Sequence, residues 1–177
     1  MNNYSTIVWL LIVVFMIHDF EEIIFFKSWL NKNKDYLAKK YPKISKYLPF
    51  FDNFSTSAFA LAVAVLFILL SLITLGSVIF NNYVLWLAAF MVFFVHLFMH
   101  LGQWIILKRY VPAIWTTFFA FIYCFFALYE IISNNIFRIS EIALWTFIGL
   151  VIFGPFFIFI IKLAEMFNKR QQHKNNN

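Results

Sequence analysis

Residues 4–26 read YSTIVWLLIVVFMIHDFEEIIFF, and this stretch decides the fold. It has the length of about 20 mostly apolar residues that a helix needs to cross a bilayer. Its second half nevertheless contains His18, Asp19, Glu21 and Glu22. Each ionised group near the centre of such a helix costs roughly 2.5–3.5 kcal/mol on insertion scales. We therefore expect these side chains to have partners elsewhere in the chain.

Helical geometry selects three of these four polar residues. His18, Glu21 and Glu22 stand at positions i, i+3 and i+4, so they project from one face of a helix. Asp19 points about 100° away from that face. The first segment therefore offers one imidazole and two carboxylates to a neighbour, and the geometry leaves Asp19 out.

The composition is that of an integral membrane protein. The 177 residues are 63% hydrophobic and 12% charged, and the mean hydropathy is +0.81. The single cysteine, Cys124, excludes a disulfide framework and a multi-thiolate metal site. The start, MNNYSTIVW, lacks the basic residues and cleavage site of a signal peptide, so we expect the first segment to be retained.

Hydropathy predicts an all-α fold, a polytopic membrane helix bundle with about five transmembrane helices in a single domain over residues 1–168. The spans lie near residues 4–26, 54–80, 83–107, 112–133 and 142–166. We expect residues 27–53 to form a lysine-rich cytoplasmic loop and residues 169–177 to form a polar, basic cytoplasmic tail. Asp52 and Asn53 are interpreted as the N-cap of the second span.

The distribution of basic residues predicts the topology. With the N-terminus outside and the C-terminus cytoplasmic, only Arg138 of the 14 Lys and Arg residues falls outside. We therefore expect a multi-pass protein of the bacterial plasma membrane. The lysine-rich loop would lie against anionic lipid headgroups, where each basic residue contributes about 1 kcal/mol. We expect no nucleic-acid partner, because the basic patch is small and membrane-bound.

The third segment offers a complement to the first. Residues 95–103 read VHLFMHLGQ, which places His96 and His100 one turn apart on one helix face. Two imidazoles at i and i+4 can chelate one metal ion. His18 lies about as far along its segment as His96 does along its own, so the two faces are expected to meet in the inner half of the bilayer.

A shared site would contain three imidazoles and two carboxylates. Zinc, manganese and iron each accept such nitrogen and oxygen ligands, and we favour zinc. We predict His18, His96 and His100 as metal ligands, with Glu22 as a fourth ligand or Glu21 as a base acting on metal-bound water. A metal-free site with a glutamate base remains an alternative. So does a purely structural role, in which these groups only hold the helices together.

The motif also carries a family resemblance. The segment His18-Asp19-Phe20-Glu21-Glu22 resembles the motif that gives its name to the HXXEE family of prokaryotic membrane proteins, which have about five spans and this motif in the first helix. His96 and His100, followed by Gln103, Arg109, Tyr110 and Pro112, are similar to the family's second block. The family pattern has Gly after that Pro, whereas this chain has Ala113.

These observations predict a membrane-embedded, metal-dependent enzyme, a hydrolase acting on a lipid or lipid-linked substrate that enters from the side. One alternative is a proton or metal-ion transporter or sensor that uses the same residues. The other is a non-catalytic membrane partner protein.

Overall fold

The computed structural model describes residues 3–175, with the backbone alone at residues 3, 4, 44 and 175. Every regular element in this range is a helix, so the all-α prediction is confirmed. The helices are α1 (Asn3–Lys40), α2 (Pro42–Ser45), α3 (Leu48–Asn53), α4 (Thr56–Ile79), α5 (Val84–Leu107), α6 (Ile114–Ser133) and α7 (Ile139–Asn175).

Four of the described helices, α4 to α7, are long and apolar enough to cross a membrane. The fifth predicted span, residues 4–26, lies within α1 and is not among these four, because its apolar stretch is interrupted by Asp19, Glu21 and Glu22. This stretch still belongs to the bundle, since α1 packs mainly against α4 and α6. Ile7, Val8 and Leu11 of α1 are almost completely buried.

The prediction of a loop at residues 27–53 is wrong for most of its length. Helix α1 continues from the apolar stretch to Lys40, because nothing breaks it before Pro42, which disfavours helical geometry at Tyr41. Helices α2 and α3 then cover much of the remainder. The predicted tail likewise continues α7 to Asn175, and residues 176 and 177 lie outside the described residues.

The N-cap predicted at Asp52 and Asn53 is also wrong. Ser55 caps α4, and its Oγ accepts a hydrogen bond of 3.2 Å from the backbone N–H of Ala58. Asp52 lies in α3 instead, where its Oδ2 accepts a hydrogen bond of 2.9 Å from Lys34 Nζ. The lysine-rich segment is therefore tied to itself by an ion pair at the surface.

The basic segments share one end of the bundle, which we call the basic end. Trp29 Nε1 donates a hydrogen bond of 2.6 Å to the carbonyl of Tyr110, which joins the extension of α1 to the α5–α6 connection. Asn168 of α7 donates a hydrogen bond of 2.8 Å to the carbonyl of Asn53. The basic segments that the charge pattern assigned to one side of the membrane are therefore neighbours in space.

The other end, here the apolar end, contains the main hydrophobic core. Trp86 and Phe90 are fully buried and stack with ring centroids 5.2 Å apart. Trp86 Nε1 donates a hydrogen bond of 3.1 Å to the carbonyl of Val8, and the Tyr123 hydroxyl donates one of 2.8 Å to the carbonyl of Ile7. Aromatic side chains of α5 and α6 therefore hold the first turns of α1.

Helix α7 changes partner between the two ends. A Cβ atom added to Gly149 would lie 2.9 Å from the carbonyl oxygen of Ala88, so α7 crosses α5 there in close contact. Near the basic end, Ile160 and Ala164 of α7 pack instead against Ala58 and Ala62 of α4. Helix α7 therefore packs against α5 near the apolar end and against α4 near the basic end.

A candidate metal centre between helices α1 and α5

The three predicted histidines converge in the core of the bundle. The ring centroid of His18 lies 5.4 Å from that of His96 and 4.9 Å from that of His100. The Nε2 atoms of His96 and His100 are 3.0 Å apart, because their i, i+4 spacing places both rings on the α5 face that meets α1. One ring nitrogen of each histidine lies within 4.8 Å of the other two.

Glu22 completes this cluster from α1. Its Oε1 lies 3.4 Å from His100 Nε2, and its side chain is 18% exposed. A carboxylate at this distance can move onto an ion held by the histidines through rotation of its own side chain. The structure therefore brings together His18, His96, His100 and Glu22, which are the residues that the spacing predicted as ligands.

Asp19 belongs to the same cluster, so leaving it out on helical geometry was wrong. One carboxylate oxygen of Asp19 lies within 4.8 Å of ligand atoms of both Glu22 and His96. Asp19 is only 5% exposed, and its Oδ2 has no hydrogen-bond partner in the described part of the chain. Helix α1 has neighbours on several sides, so more than one of its faces points into the bundle. The i, i+3 spacing of Asp19 and Glu22 was the available signal.

Glu21 faces α6 and lies outside both potential metal-binding groups. Its Oε1 accepts a hydrogen bond of 2.8 Å from the Tyr110 hydroxyl. Its Oε2 accepts two from Thr116, one of 2.9 Å from the backbone N–H and one of 2.7 Å from Oγ1. The two glutamates of the motif thus have different environments, which their spacing alone did not separate.

Tyr110 and Thr116 are site residues that sequence reasoning did not assign to the site. Partial burial and the hydrogen bond to Glu21 raise the pKa of Tyr110, so its hydroxyl remains a donor at neutral pH. Thr116 Oγ1 also lies 3.4 Å from His18 Nδ1. The available signal for Tyr110 was its place in the family's second block, whereas no motif or spacing pointed to Thr116.

The connection between α5 and α6 places these two residues. Lys108 ends α5 with a φ of 52°, and Ala113 precedes α6 with a φ of 66°. Both angles lie in the left-handed region that favours glycine. The expected glycine after Pro112 therefore corresponds to a real requirement of the backbone, which Ala113 meets under strain.

The donor set matches a divalent cation in type and in charge. The cluster contains three imidazoles and the carboxylates of Asp19 and Glu22. These groups form two overlapping sets that share His96: His18, His96 and His100 in one, and Asp19, Glu22 and His96 in the other. The negative charge of a carboxylate favours a cation beside the neutral imidazoles. Nitrogen and oxygen donors in this number suit zinc, with manganese and iron as further possibilities.

Together, the apolar helices and the buried ionisable cluster define a polytopic α-helical membrane protein with a polar site in its core. The family model described as a protein of unknown function with HXXEE motif matches residues 9–128. The chain belongs to this HXXEE family, because the match covers more than half of its 177 residues. The matched range contains every residue of the cluster. No curated protein and no solved structure matches the chain.

Proposed function

We propose that the protein is a membrane-embedded, metal-dependent hydrolase. In this proposal, His18, His96 and His100 bind a divalent ion, zinc in preference, and Glu22 is the fourth ligand. The observation that supports it most directly is that the ligand atoms of the three histidines lie within 4.8 Å of one another in the bundle core. Such a cluster leaves costly buried polar atoms unless an ion or hydrogen-bond partners satisfy them.

The chemistry would be activation of water. A bound zinc ion can lower the pKa of its water to about 7, which supplies hydroxide at neutral pH. Asp19 is the best-placed base, because its Oδ2 is buried beside Glu22 and has no hydrogen-bond partner among the described residues. Glu21, which the spacing offered as the base, accepts three hydrogen bonds from Tyr110 and Thr116 and is assigned an orienting role.

The position of the cluster supports a lipid or lipid-linked substrate. His96 and Glu22 are partly exposed, so the edge of the site reaches the surface of the bundle. The neighbouring Met99 is 58% exposed and offers an apolar approach on the same helix. We further propose that the basic end is cytoplasmic in a plasma membrane, where its lysines would meet anionic headgroups.

A metal-ion transporter or sensor is the second candidate, and the cavities favour it. Two cavities in the described part of the chain, of about 360 and 230 Å³, lie away from the histidines. The first is lined by Trp104, Ile105 and Lys108, and the second lies between α4 and α7. Neither of these two cavities is lined by a histidine of the cluster, and a bare ion needs less room than a lipid.

Metal analysis of the detergent-purified protein tests both candidates. We expect close to one zinc ion per chain in the wild type and almost none in the His96→Ala, His100→Ala double variant. His173→Ala is the matched control, because this histidine lies near the end of α7 and should not affect the metal content. A folded wild-type protein that binds no metal would overturn both metal proposals and leave the non-catalytic partner role.

A second comparison separates the hydrolase from the transporter. Lipid extracts from cells that express the wild type should differ from those of cells expressing Asp19→Asn, while metal content should be similar in both proteins. Unchanged lipids together with altered zinc tolerance would reject the hydrolase and support the ion-handling role.

A further inference from the structure

We propose that Thr116 is a positioning residue that fixes the tautomer of His18 and so presents the Nε2 lone pair to the metal. This inference rests on the proposed metal site and specifies how one of its ligands is prepared. It follows from the directions of the hydrogen bonds around a single hydroxyl group.

The hydroxyl hydrogen of Thr116 is already committed to an acceptor other than His18. Oγ1 lies 2.7 Å from Glu21 Oε2 and 3.1 Å from the carbonyl oxygen of Ala113. Glu21 Oε2 also accepts from the backbone N–H of Thr116, so it acts as an acceptor, as does the Ala113 carbonyl. A hydroxyl has a single hydrogen to donate. Only lone pairs of Thr116 Oγ1 are therefore left for other partners.

His18 must then be the donor in its contact with Thr116. Its Nδ1 lies 3.4 Å from Thr116 Oγ1, and two lone pairs cannot form a hydrogen bond. Nδ1 consequently carries a hydrogen atom. Because a neutral imidazole carries only one such hydrogen, Nε2 of His18 is left bare.

The surroundings of Nε2 agree with this assignment. His18 is 0% exposed, and its Nε2 has no hydrogen-bond partner among the residues that the structure describes. The rings of His96 and His100 flank His18 with centroid distances of 5.4 and 4.9 Å. A bare, buried nitrogen beside two further imidazoles is suitably prepared for a metal ion, since metal-binding histidines use the other ring nitrogen for such an outer hydrogen bond.

The same contacts give the first glutamate of the motif a defined role. Thr116 Oγ1 donates to Glu21 Oε2 and accepts from His18 Nδ1. The carboxylate, the hydroxyl and the imidazole therefore form one chain of hydrogen bonds. The i, i+3 spacing of His18 and Glu21 places both on the α1 face toward α6. Glu21 therefore acts through Thr116, whereas Glu22 faces the ion directly.

Zinc affinity, measured by competition with a chelator on the detergent-purified protein, tests the inference. Thr116→Val keeps the side-chain shape and removes the hydroxyl, and we expect zinc affinity to fall by roughly 10–100-fold, as for other outer-shell partners. Thr116→Ser restores the hydroxyl and should restore the affinity. Thr117→Val is the matched control, because this neighbouring hydroxyl donates to the carbonyl of Ala113 at 2.7 Å.

The results separate the inference from the proposed function. Equal zinc affinities for Thr116→Val and Thr117→Val, or a Thr116→Ser variant as weak as Thr116→Val, would overturn the inference while the metal site stands. A wild-type protein without zinc affinity would overturn the proposed function. Even in that case, nitrogen NMR of metal-free protein with labelled histidines shows which ring nitrogen of His18 carries the hydrogen. The His18 signal is identified as the one that is missing from a His18→Asn variant. A hydrogen on Nδ1 supports the inference, and a hydrogen on Nε2 overturns it.

Discussion

The apolar and basic ends use the same three helices, α1, α5 and α6, in opposite ways. At the apolar end, Trp86 and Tyr123 donate to backbone carbonyls of α1, and the surrounding aromatic rings fill the interior. In the basic half, His18 and Asp19 lie in the interior of the bundle. His18 Nε2 and Asp19 Oδ2 are buried there and have no hydrogen-bond partner in the described part of the chain. Backbone carbonyls of α1 satisfy the polar groups of Trp86 and Tyr123, whereas His18 and Asp19 keep atoms that a ligand could bind.

This difference assigns stability and function to separate halves of the bundle. Intramembrane hydrogen bonds contribute only about 0.6 kcal/mol on average, so the packing of large side chains must supply most of the stability. The polar cluster contributes little packing, and burial of its polar groups costs free energy. Mutations at the apolar end should therefore change unfolding, and mutations in the cluster should change ligand binding.

The largest expected effect on stability comes from Phe90→Ala. Phe90 is fully buried and contacts Trp86, Phe94 and Tyr123, so its truncation leaves a cavity that costs about 3–5 kcal/mol. The free energy of unfolding in a detergent–denaturant titration measures this loss. Phe119→Ala is the control, because that ring is 70% exposed. Zinc bound per folded chain should stay unchanged in both, and a loss of zinc in Phe90→Ala would break the separation of the two halves.

Gly149→Ala should give the next largest effect. The new Cβ would lie 2.9 Å from the Ala88 carbonyl oxygen and 2.9 Å from Val92 Cγ2, so α7 must shift away from α5 at a cost of about 1–3 kcal/mol. A Cβ on Gly102 would meet nothing within 4 Å, which makes Gly102→Ala the matched control. Thermal unfolding of both variants in the same detergent measures the difference. Equal stability would show that the close α5–α7 crossing is not a source of the fold's stability.

Ala113→Gly tests the basic end and should stabilise the protein. Its φ of 66° costs a non-glycine residue about 1–2 kcal/mol, and part of this gain is lost to the greater freedom of glycine in the unfolded chain. A net gain of up to about 1 kcal/mol is expected in the free energy of unfolding. Ala120→Gly, at a buried position inside α6, should instead lose about 1 kcal/mol. A destabilised Ala113→Gly would contradict the strain assigned to this connection.

The sequence was sufficient to predict where the apolar helices lie and that His18, His96 and His100 meet, because both follow from local periodicity. The i, i+4 spacing of His96 and His100 and the matched depth of His18 are properties of straight helices, and the structure retains them. Asp19 was missed because a wheel drawn for one helix does not show how many neighbours surround that helix. Thr116 was missed because the left-handed residues Lys108 and Ala113 determine where it lies, and no periodicity reports such a turn.

The extent of α1 was missed for a different reason. The hydropathy of the segment falls after Phe26, and the end of the apolar run predicts the end of the helix at that point. Hydropathy reports where a helix leaves the membrane, whereas a helix ends where its backbone is interrupted. Here that interruption comes only at Pro42, so the lysines between Phe26 and Pro42 lie on a continuous helix.

The smallest effect is expected at the surface of the basic end, where Asp52 pairs with Lys34 at 2.9 Å. The hydrogen bond from Lys34 lowers the pKa of Asp52 below the ordinary aspartate value of 3.8. A lowered pKa means that the contribution to stability is present above pH 3.8 and is lost as the pH falls through the lower, folded-state value. The group is exposed, so salt should screen the effect.

The melting temperatures of wild type and Asp52→Asn should therefore differ slightly at pH 7 in low salt. They should converge in high salt, or as the pH falls through the lowered pKa of Asp52. Asp35→Asn removes the same charge from the exposed part of α1 and serves as the control. A large difference that persists in high salt would mean that the basic end supplies stability through its surface ion pairs. The basic half would then contribute to stability as well as to ligand binding. This result would contradict the assignment of stability to the apolar half alone.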